Sequence, residues 1–122
     1  MKKLSLMAVL AWVLLLDMNI AAIAQDGIVD ARGSWTIYSR NIDNGAMVTK
    51  HVQIHQGGDQ IWGYFEGPNQ SGPIHGVVNG HHIEFSTQTR NVLTFRGQIN
   101  GSGMSGMYGI HGQHAEWSAV RQ

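Results

Sequence analysis

Residues 93–101 read Leu-Thr-Phe-Arg-Gly-Gln-Ile-Asn-Gly. Apolar and polar side chains alternate along this stretch until it ends in Asn-Gly. A strand has this period of two when one face meets a core and the other meets water. Asn-Gly is the strongest short hairpin signal, because both residues tolerate the positive φ angles of a two-residue turn. The stretch therefore predicts a β-strand followed directly by a tight turn.

The same pattern recurs along the chain from about residue 33. Alternation is present at residues 48–54 and 83–85, further Asn-Gly pairs lie at 44–45 and 79–80, and no helical spacing occurs after residue 24. Seven turns predict eight strands, at roughly 33–40, 46–55, 60–66, 73–79, 82–87, 92–99, 103–109 and 114–121. We predict an all-β fold, an eight-stranded antiparallel up-and-down meander closed into a small barrel, which removes exposed edges. An open sheet or a two-sheet sandwich is the alternative.

Glycine recurs on the apolar face of this pattern. The five glycines predicted to face inward are Gly33, Gly63, Gly76, Gly97 and Gly106. Glycine weakens a strand unless the chain bends sharply or another group approaches closely, and small barrels need such bends to close. The glycines therefore indicate either strand curvature alone or space for a ligand inside the barrel.

The first 24 residues have the order of a secretory signal. Two lysines follow Met1, an apolar run covers residues 4–16, and residues 22–24 read Ala-Ile-Ala. This order predicts cleavage after Ala24. The apolar run of 13 residues is shorter than the roughly 20 that a membrane-spanning helix needs. We therefore expect a single domain, residues 25–122, in the periplasm or outside the cell, with no membrane anchor.

Charge and composition exclude several functions. Without residues 1–24 the chain has 98 residues, with six Lys or Arg and seven Asp or Glu. A nucleic-acid-binding protein would usually show a basic stripe, so no nucleic-acid partner is predicted. There is no cysteine, so no disulfide framework is expected.

Histidine is the most unusual component of the composition. All seven histidines follow residue 24. His51 and His55 are four residues apart on one strand, about 13 Å, too far to share one ion. We therefore predict solvent-facing histidines rather than a metal site, and no cofactor is expected.

No motif indicates catalysis. Acid–base or nucleophilic chemistry needs groups within hydrogen-bond reach of each other, and no Gly-x-Ser-x-Gly elbow or paired-carboxylate motif is present. The isolated candidates are Glu66, Glu84, Glu116, Ser105 and Ser118. No catalytic residue is assigned, and binding is favoured over enzymatic activity.

The first and last strands of the predicted barrel carry a family resemblance. Gly33-Ser34-Trp35 opens the first strand, and the last strand ends in residues 116–121, Glu-Trp-Ser-Ala-Val-Arg. With residues 61–66 and 93–98, these resemble the calycin barrels of the avidin and lipocalin group, here as a small secreted bacterial member. The resemblance implies that Trp35 closes one end of the barrel and that Arg121 lies across its ring, a contact of about 0.5–2 kcal/mol.

The resemblance does not extend to biotin binding. Ile37 stands where an avidin would place a polar biotin contact, and Phe65 stands where it would place a tyrosine hydroxyl. A site without these buried hydrogen-bonding groups cannot recover the affinity that they supply.

The predicted function is binding of a small apolar molecule inside the barrel. Tyr108 is expected to be the one inward residue with a hydroxyl and to orient a polar end of the ligand. An eight-stranded barrel can be filled by side chains or hold one small ligand, and the sequence does not decide which. The predicted lining residues are Ile54, Phe65, Phe85, Phe95, Tyr108 and Trp117.

Two alternatives come from other classes. The outer face, with Trp62, Tyr64 and His75, could bind a protein partner or a second copy, as an interaction or inhibitor module would. A small barrel could also act as a cyclase or isomerase by enclosing its substrate. The predicted architecture resembles that of allene-oxide-cyclase-like barrels, which act in this way.

Overall fold

The computed structural model describes residues 28–110 and 112–122. Consecutive strands pair antiparallel and β1 also pairs with β8, so the sheet is a closed barrel. The predicted all-β meander and its closure are therefore confirmed, whereas the predicted signal segment and His111 lie outside the described residues. The strands are β1 (Gly33–Asn41), β2 (Met47–Gly57), β3 (Gln60–Glu66), β4 (Ser71–Asn79), β5 (His82–Thr87), β6 (Thr94–Asn100), β7 (Gly103–Ile110) and β8 (Gln113–Arg121).

The strand ends fall within two residues of the predicted ones. The turn glycines Gly45, Gly80 and Gly101 have φ angles of 72°, 58° and 57°, as the Asn-Gly signals require. Strand β6 begins at Thr94 rather than 92, because Leu93 belongs to the preceding loop. In that loop the Leu93 amide donates to Thr87 Oγ1 at 3.0 Å. No helix in the described part of the chain is long and apolar enough to cross a membrane.

Four of the five glycines predicted to face inward, Gly63, Gly76, Gly97 and Gly106, allow neighbouring strands to approach closely, whereas Gly33 is exposed. A Cβ atom on Gly63 would lie 1.8 Å from the Gln53 carbonyl oxygen, and one on Gly97 would lie 2.1 Å from that of Ser105. The space beside these glycines is therefore occupied by the backbone of the next strand. This favours strand curvature, rather than room for a ligand, as the reason for glycine here.

An aromatic cluster fills the barrel interior towards the end where β6 begins. Phe95 stacks on Phe85, with 4.8 Å between ring centroids, and on Tyr108 at 4.9 Å. The Trp117 ring meets Phe95 edge-on at 5.4 Å. Phe85, Phe95 and Trp117 are buried. Packed aromatic pairs of this kind stabilise a core beyond the area that they bury.

The opposite end is closed by Trp35 and the segment that precedes β1. Trp35 is buried, and its Nε1 donates to the Ala31 carbonyl oxygen at 2.9 Å. Gln56 fastens the segment from the other side: its Nε2 donates to the Val29 carbonyl, and its Oε1 accepts from the Ala31 amide at 2.7 Å. The segment therefore covers this end of the barrel.

Arg121 completes the closed end. Its guanidinium carbon lies 4.5 Å from the centroid of the Trp35 ring, and its nitrogens donate to the carbonyl oxygens of Arg32, Asp30 and Gly101. The end-closing arrangement expected of Trp35 and Arg121 is present. Hydrogen bonds from the Arg32 side chain and amide lower the pKa of Asp30 to about 2.

Candidate functional site

A cavity lies at the open end of the barrel, away from Trp35. Its volume is about 200 Å³, and we call it the mouth cavity. The loops 67–70 and 88–93 form part of its rim, and its floor combines apolar side chains with one lysine and one tyrosine. The lining residues are Val48, Lys50, Phe65, Gly67, Pro68, Asn69, Gln70, Asn91, Leu93, Tyr108 and Ile110.

Lys50 places a charged group in the barrel wall facing this cavity. Lys50 as a whole is only 6% exposed to solvent. The ammonium Nζ donates to Ser39 Oγ at 2.6 Å and to Tyr108 Oη at 3.0 Å, and it lies 4.4 Å from the centroid of the Tyr108 ring. Ser39 in turn donates to the Val48 carbonyl at 3.2 Å. The ammonium is therefore solvated by neutral oxygens and an aromatic face.

No described carboxylate neutralises Lys50. In residues 28–110 and 112–122 the ion pairs are Arg32–Asp30, Arg40–Glu116 and Arg96–Glu84, and all have exposed side chains. Burying a charge is costly unless it is paired and hydrogen-bonded. Lys50 thus combines burial with the absence of a described countercharge.

The sequence prediction overlooked Lys50, although a signal was present. Lys50 is in phase with Val52 and Ile54, and a lysine on the apolar phase of a strand is the feature that could have revealed it. The expectation that Tyr108 is the one inward hydroxyl was wrong, because Ser39 is also buried. Ser39 alternates in phase with Trp35 along β1, so it too faces the interior.

The six predicted lining residues lie inside the barrel, but they do not share one open space. Phe65 and Tyr108 border the mouth cavity, whereas Phe85, Phe95 and Trp117 belong to the packed aromatic cluster. The Trp117 Nε1 donates to backbone carbonyls of two strands, at 3.0 and 3.2 Å. Ile54 is buried and lies further towards the closed end. The candidate space is therefore the mouth of the barrel rather than its middle.

The rim of the mouth cavity is held by hydrogen bonds between its two loops. Gln70 Nε2 donates to the Asn91 carbonyl at 2.7 Å, and the Asn91 amide donates to Gln70 Oε1 at 3.1 Å. Thr89 Oγ1 donates to the same Asn91 carbonyl at 2.8 Å. A preformed rim lowers the ordering cost that a ligand must offset on binding.

The outer face of β3 and β4 carries exposed aromatic and aliphatic side chains, as predicted. Trp62 and Tyr64 are each 48% exposed, and Val77 is 42% exposed. The His55 and Trp62 rings stack with 6.3 Å between centroids, and Trp62 is the cross-strand partner of His75. We call the group formed by these five residues the outer ladder: His55, Trp62, Tyr64, His75 and Val77. Two depressions, of about 420 and 320 Å³, adjoin it at Trp62 and at Tyr64.

The residues considered for catalysis or metal binding lie on the outer face of the barrel. Ser105 and Ser118 are exposed cross-strand partners, Glu84 pairs with Arg96 at 3.1 Å, and no nucleophile–base arrangement joins them. The six histidines that the structure describes are exposed, and no group of three or more potential metal ligands occurs among the described residues. The exposed histidines of β2, β4 and β5 are His51, His55, His75 and His82.

The fold and the site define a closed eight-stranded barrel with a small, partly polar cavity at one end. No protein-family model and no curated protein matches the chain. The geometry of the described residues is therefore the basis for the function.

Proposed function

We propose that the protein is a binding barrel for a small, mainly apolar ligand held in the mouth cavity. The observation that carries the proposal is the convergence in one space of apolar walls, a buried lysine and a half-buried tyrosine hydrogen-bonded to it. Phe65, Leu93 and Ile110 supply apolar surface, and Lys50 and Tyr108 supply hydrogen-bond donors. Ligand sites have this composition, with mostly apolar walls and a few convergent polar groups that fix orientation.

The size of the cavity limits the ligand. A volume of about 200 Å³ is below the roughly 300–1,000 Å³ of sites for drug-sized molecules. The packed cluster around Phe95 lies next to Phe65 and Tyr108, so a ligand that extended further into the barrel would have to displace core side chains. We therefore propose a small molecule, of about the size of octan-1-ol, that stays in the mouth and extends outwards past its rim.

The likeness to calycin barrels and the signal-like first 24 residues support the same proposal. In a calycin-like protein, the end opposite the Trp35 and Arg121 closure is the one available to a ligand. The order of residues 1–24 supports action in the periplasm or outside the cell. Under this proposal the protein is a secreted binding protein rather than an enzyme.

The proposal predicts that narrowing the mouth blocks binding. Asn69 is an exposed rim residue, so Asn69→Trp adds bulk there without changing the core. In the protein without substitutions, we expect octan-1-ol to shift the amide resonances of Leu93 and Ile110. Asn69→Trp should weaken that binding about tenfold, the effect of losing about 1.4 kcal/mol of binding energy. The measurement is a nuclear magnetic resonance titration.

Val92→Trp is the matched control. Val92 is exposed in the loop 88–93 but does not line the cavity, so it should leave the octan-1-ol affinity unchanged. Equal effects of the two tryptophans, or shifts confined to the outer ladder, would contradict binding in the mouth. Native mass spectrometry of protein from its own host should also show a bound small molecule.

A second candidate function uses the outer ladder as a protein-interaction surface. The observation that favours it is the side-by-side exposure of Trp62, Tyr64 and Val77 on two paired strands. Aromatic residues are enriched at interface positions that lose contact with water.

If the outer ladder mediates self-association, Tyr64→Ala should weaken it in sedimentation velocity. About tenfold weaker dimerisation is expected for one interface anchor. Val120→Ala, an exposed apolar change on β8, is the control. A protein that stays monomeric at every accessible concentration would refute this use of the surface.

A further inference from the structure

We infer that the ligand of the mouth cavity carries a carboxylate, bound by the ammonium of Lys50 and the hydroxyl of Tyr108. The inference rests on the proposed function and specifies the chemistry of its ligand. It starts from the burial of Lys50, of which 6% is exposed, beside a cavity that both residues line.

The hydrogen-bond inventory around Lys50 leaves donors available. A lysine ammonium has three N–H donors and no acceptor. Two of them serve Ser39 Oγ and Tyr108 Oη, at 2.6 and 3.0 Å, and the third has no acceptor among the described residues. Tyr108 Oη accepts from Lys50, so its own O–H remains able to donate, again with no described acceptor. Two donors 3.0 Å apart thus border one cavity.

The role of Ser39 excludes a simpler catalytic interpretation. A serine nucleophile would transfer its proton to the lysine as base, but here Ser39 Oγ accepts from Lys50 and donates to the Val48 carbonyl. Ser39 is also buried, at 2% exposure, and it is not one of the residues that line the mouth cavity. Ser39 therefore acts as a positioning residue that directs Nζ towards Tyr108.

Charge and geometry together favour a carboxylate over other groups. A buried cation without a countercharge gains more from an anionic ligand than from a neutral one, because charged hydrogen bonds are shorter and about twice as strong. One ammonium and one hydroxyl match the two oxygens of a carboxylate. A phosphate, with more oxygens and a second charge, would leave acceptors unmatched in a cavity walled by Phe65, Leu93 and Ile110.

The test compares octanoate with octan-1-ol, which share a chain and differ in the head group. Isothermal titration calorimetry of the purified protein should show tighter binding of octanoate. Lys50→Met, which keeps length without charge, should weaken octanoate about 10- to 100-fold and change octan-1-ol less than about twofold. Tyr108→Phe should weaken octanoate about 3- to 10-fold. If Lys50→Met does not fold, Tyr108→Phe carries the same comparison.

Arg90→Met is the matched control. Arg90 is an exposed cation in the loop 88–93 at the same end, outside the cavity lining, so its loss should leave octanoate binding unchanged. Equal binding of the two ligands, or octanoate affinity unaffected by Lys50→Met and Tyr108→Phe, would overturn the carboxylate inference while leaving the binding barrel in place. Binding of neither ligand would overturn both.

Discussion

Trp35→Ala should lower the free energy of unfolding by about 3–5 kcal/mol, the usual cost of removing a buried tryptophan. The ring is 1% exposed, and it is held by the Ala31 carbonyl on one side and by the Arg121 guanidinium on the other. Removing it leaves a cavity at the closed end and frees the segment 28–32. Urea unfolding measures the effect.

Trp62→Ala is the control for this prediction, because it makes the same substitution on a residue that is 48% exposed. A surface change of this kind should cost within about 0.5 kcal/mol. Arg121→Ala should fall between the two, at about 1–3 kcal/mol, since it removes charged hydrogen bonds to backbone carbonyls. Equal unfolding midpoints for the two tryptophan variants would refute the end-closing role of Trp35.

Gly63→Ala should destabilise the barrel by about 3 kcal/mol or more, at or above the upper end of the range for overpacking. The added Cβ would lie 1.8 Å from the Gln53 carbonyl oxygen and 3.3 Å from the Ile54 Cα. Neither neighbour is a flexible side chain, so β2 and β3 must separate. We expect a loss of unfolding free energy in urea titrations, or failure to recover folded protein.

Gly103→Ala is the matched control, since it also adds one methyl group within a strand. Its nearest neighbour would be the Asn100 carbonyl oxygen at 3.8 Å, and Gly103 does not have a positive φ. The expected change is within about 0.5 kcal/mol. Comparable stability of the Gly63 and Gly103 variants would contradict the close approach of β2 and β3.

Much of the fold could be predicted because its signals are local. Alternation along residues 48–54 and 93–99 determines which side chains share a face, since successive strand residues point in opposite directions. The Asn-Gly pairs mark turns, because the φ angle that a tight turn requires suits few other residues. The number, order and facing of the strands, and the outward direction of Trp62 and Tyr64, follow from these local rules.

The candidate site could be predicted only in part. Phe65 and Tyr108 were predicted to line the site because their positions in the strand alternation face inward. Lys50 was not predicted, because only apolar and aromatic residues were assigned to the interior. A lysine within a strand is ordinarily read as solvent-facing, because lysine is almost never fully buried without a partner. Lys50 nevertheless alternates in phase with the buried Val52 and Ile54, and this phase indicates that its side chain faces inward.

The sequence by itself determined the strands, their turns and the side chains that face inward, because each depends on residues close together in the chain. Only the tertiary structure decided between the closed barrel and an open sheet or sandwich, by pairing β1 with β8 so that Thr36 lies opposite Val120. It also placed Lys50 against Tyr108, 58 residues further along the chain. It also decided that the aromatic cluster is packed while the mouth keeps a cavity of about 200 Å³. The packing of the interior depends on the volumes of the inward side chains of all eight strands together. No local sequence pattern specifies that total volume.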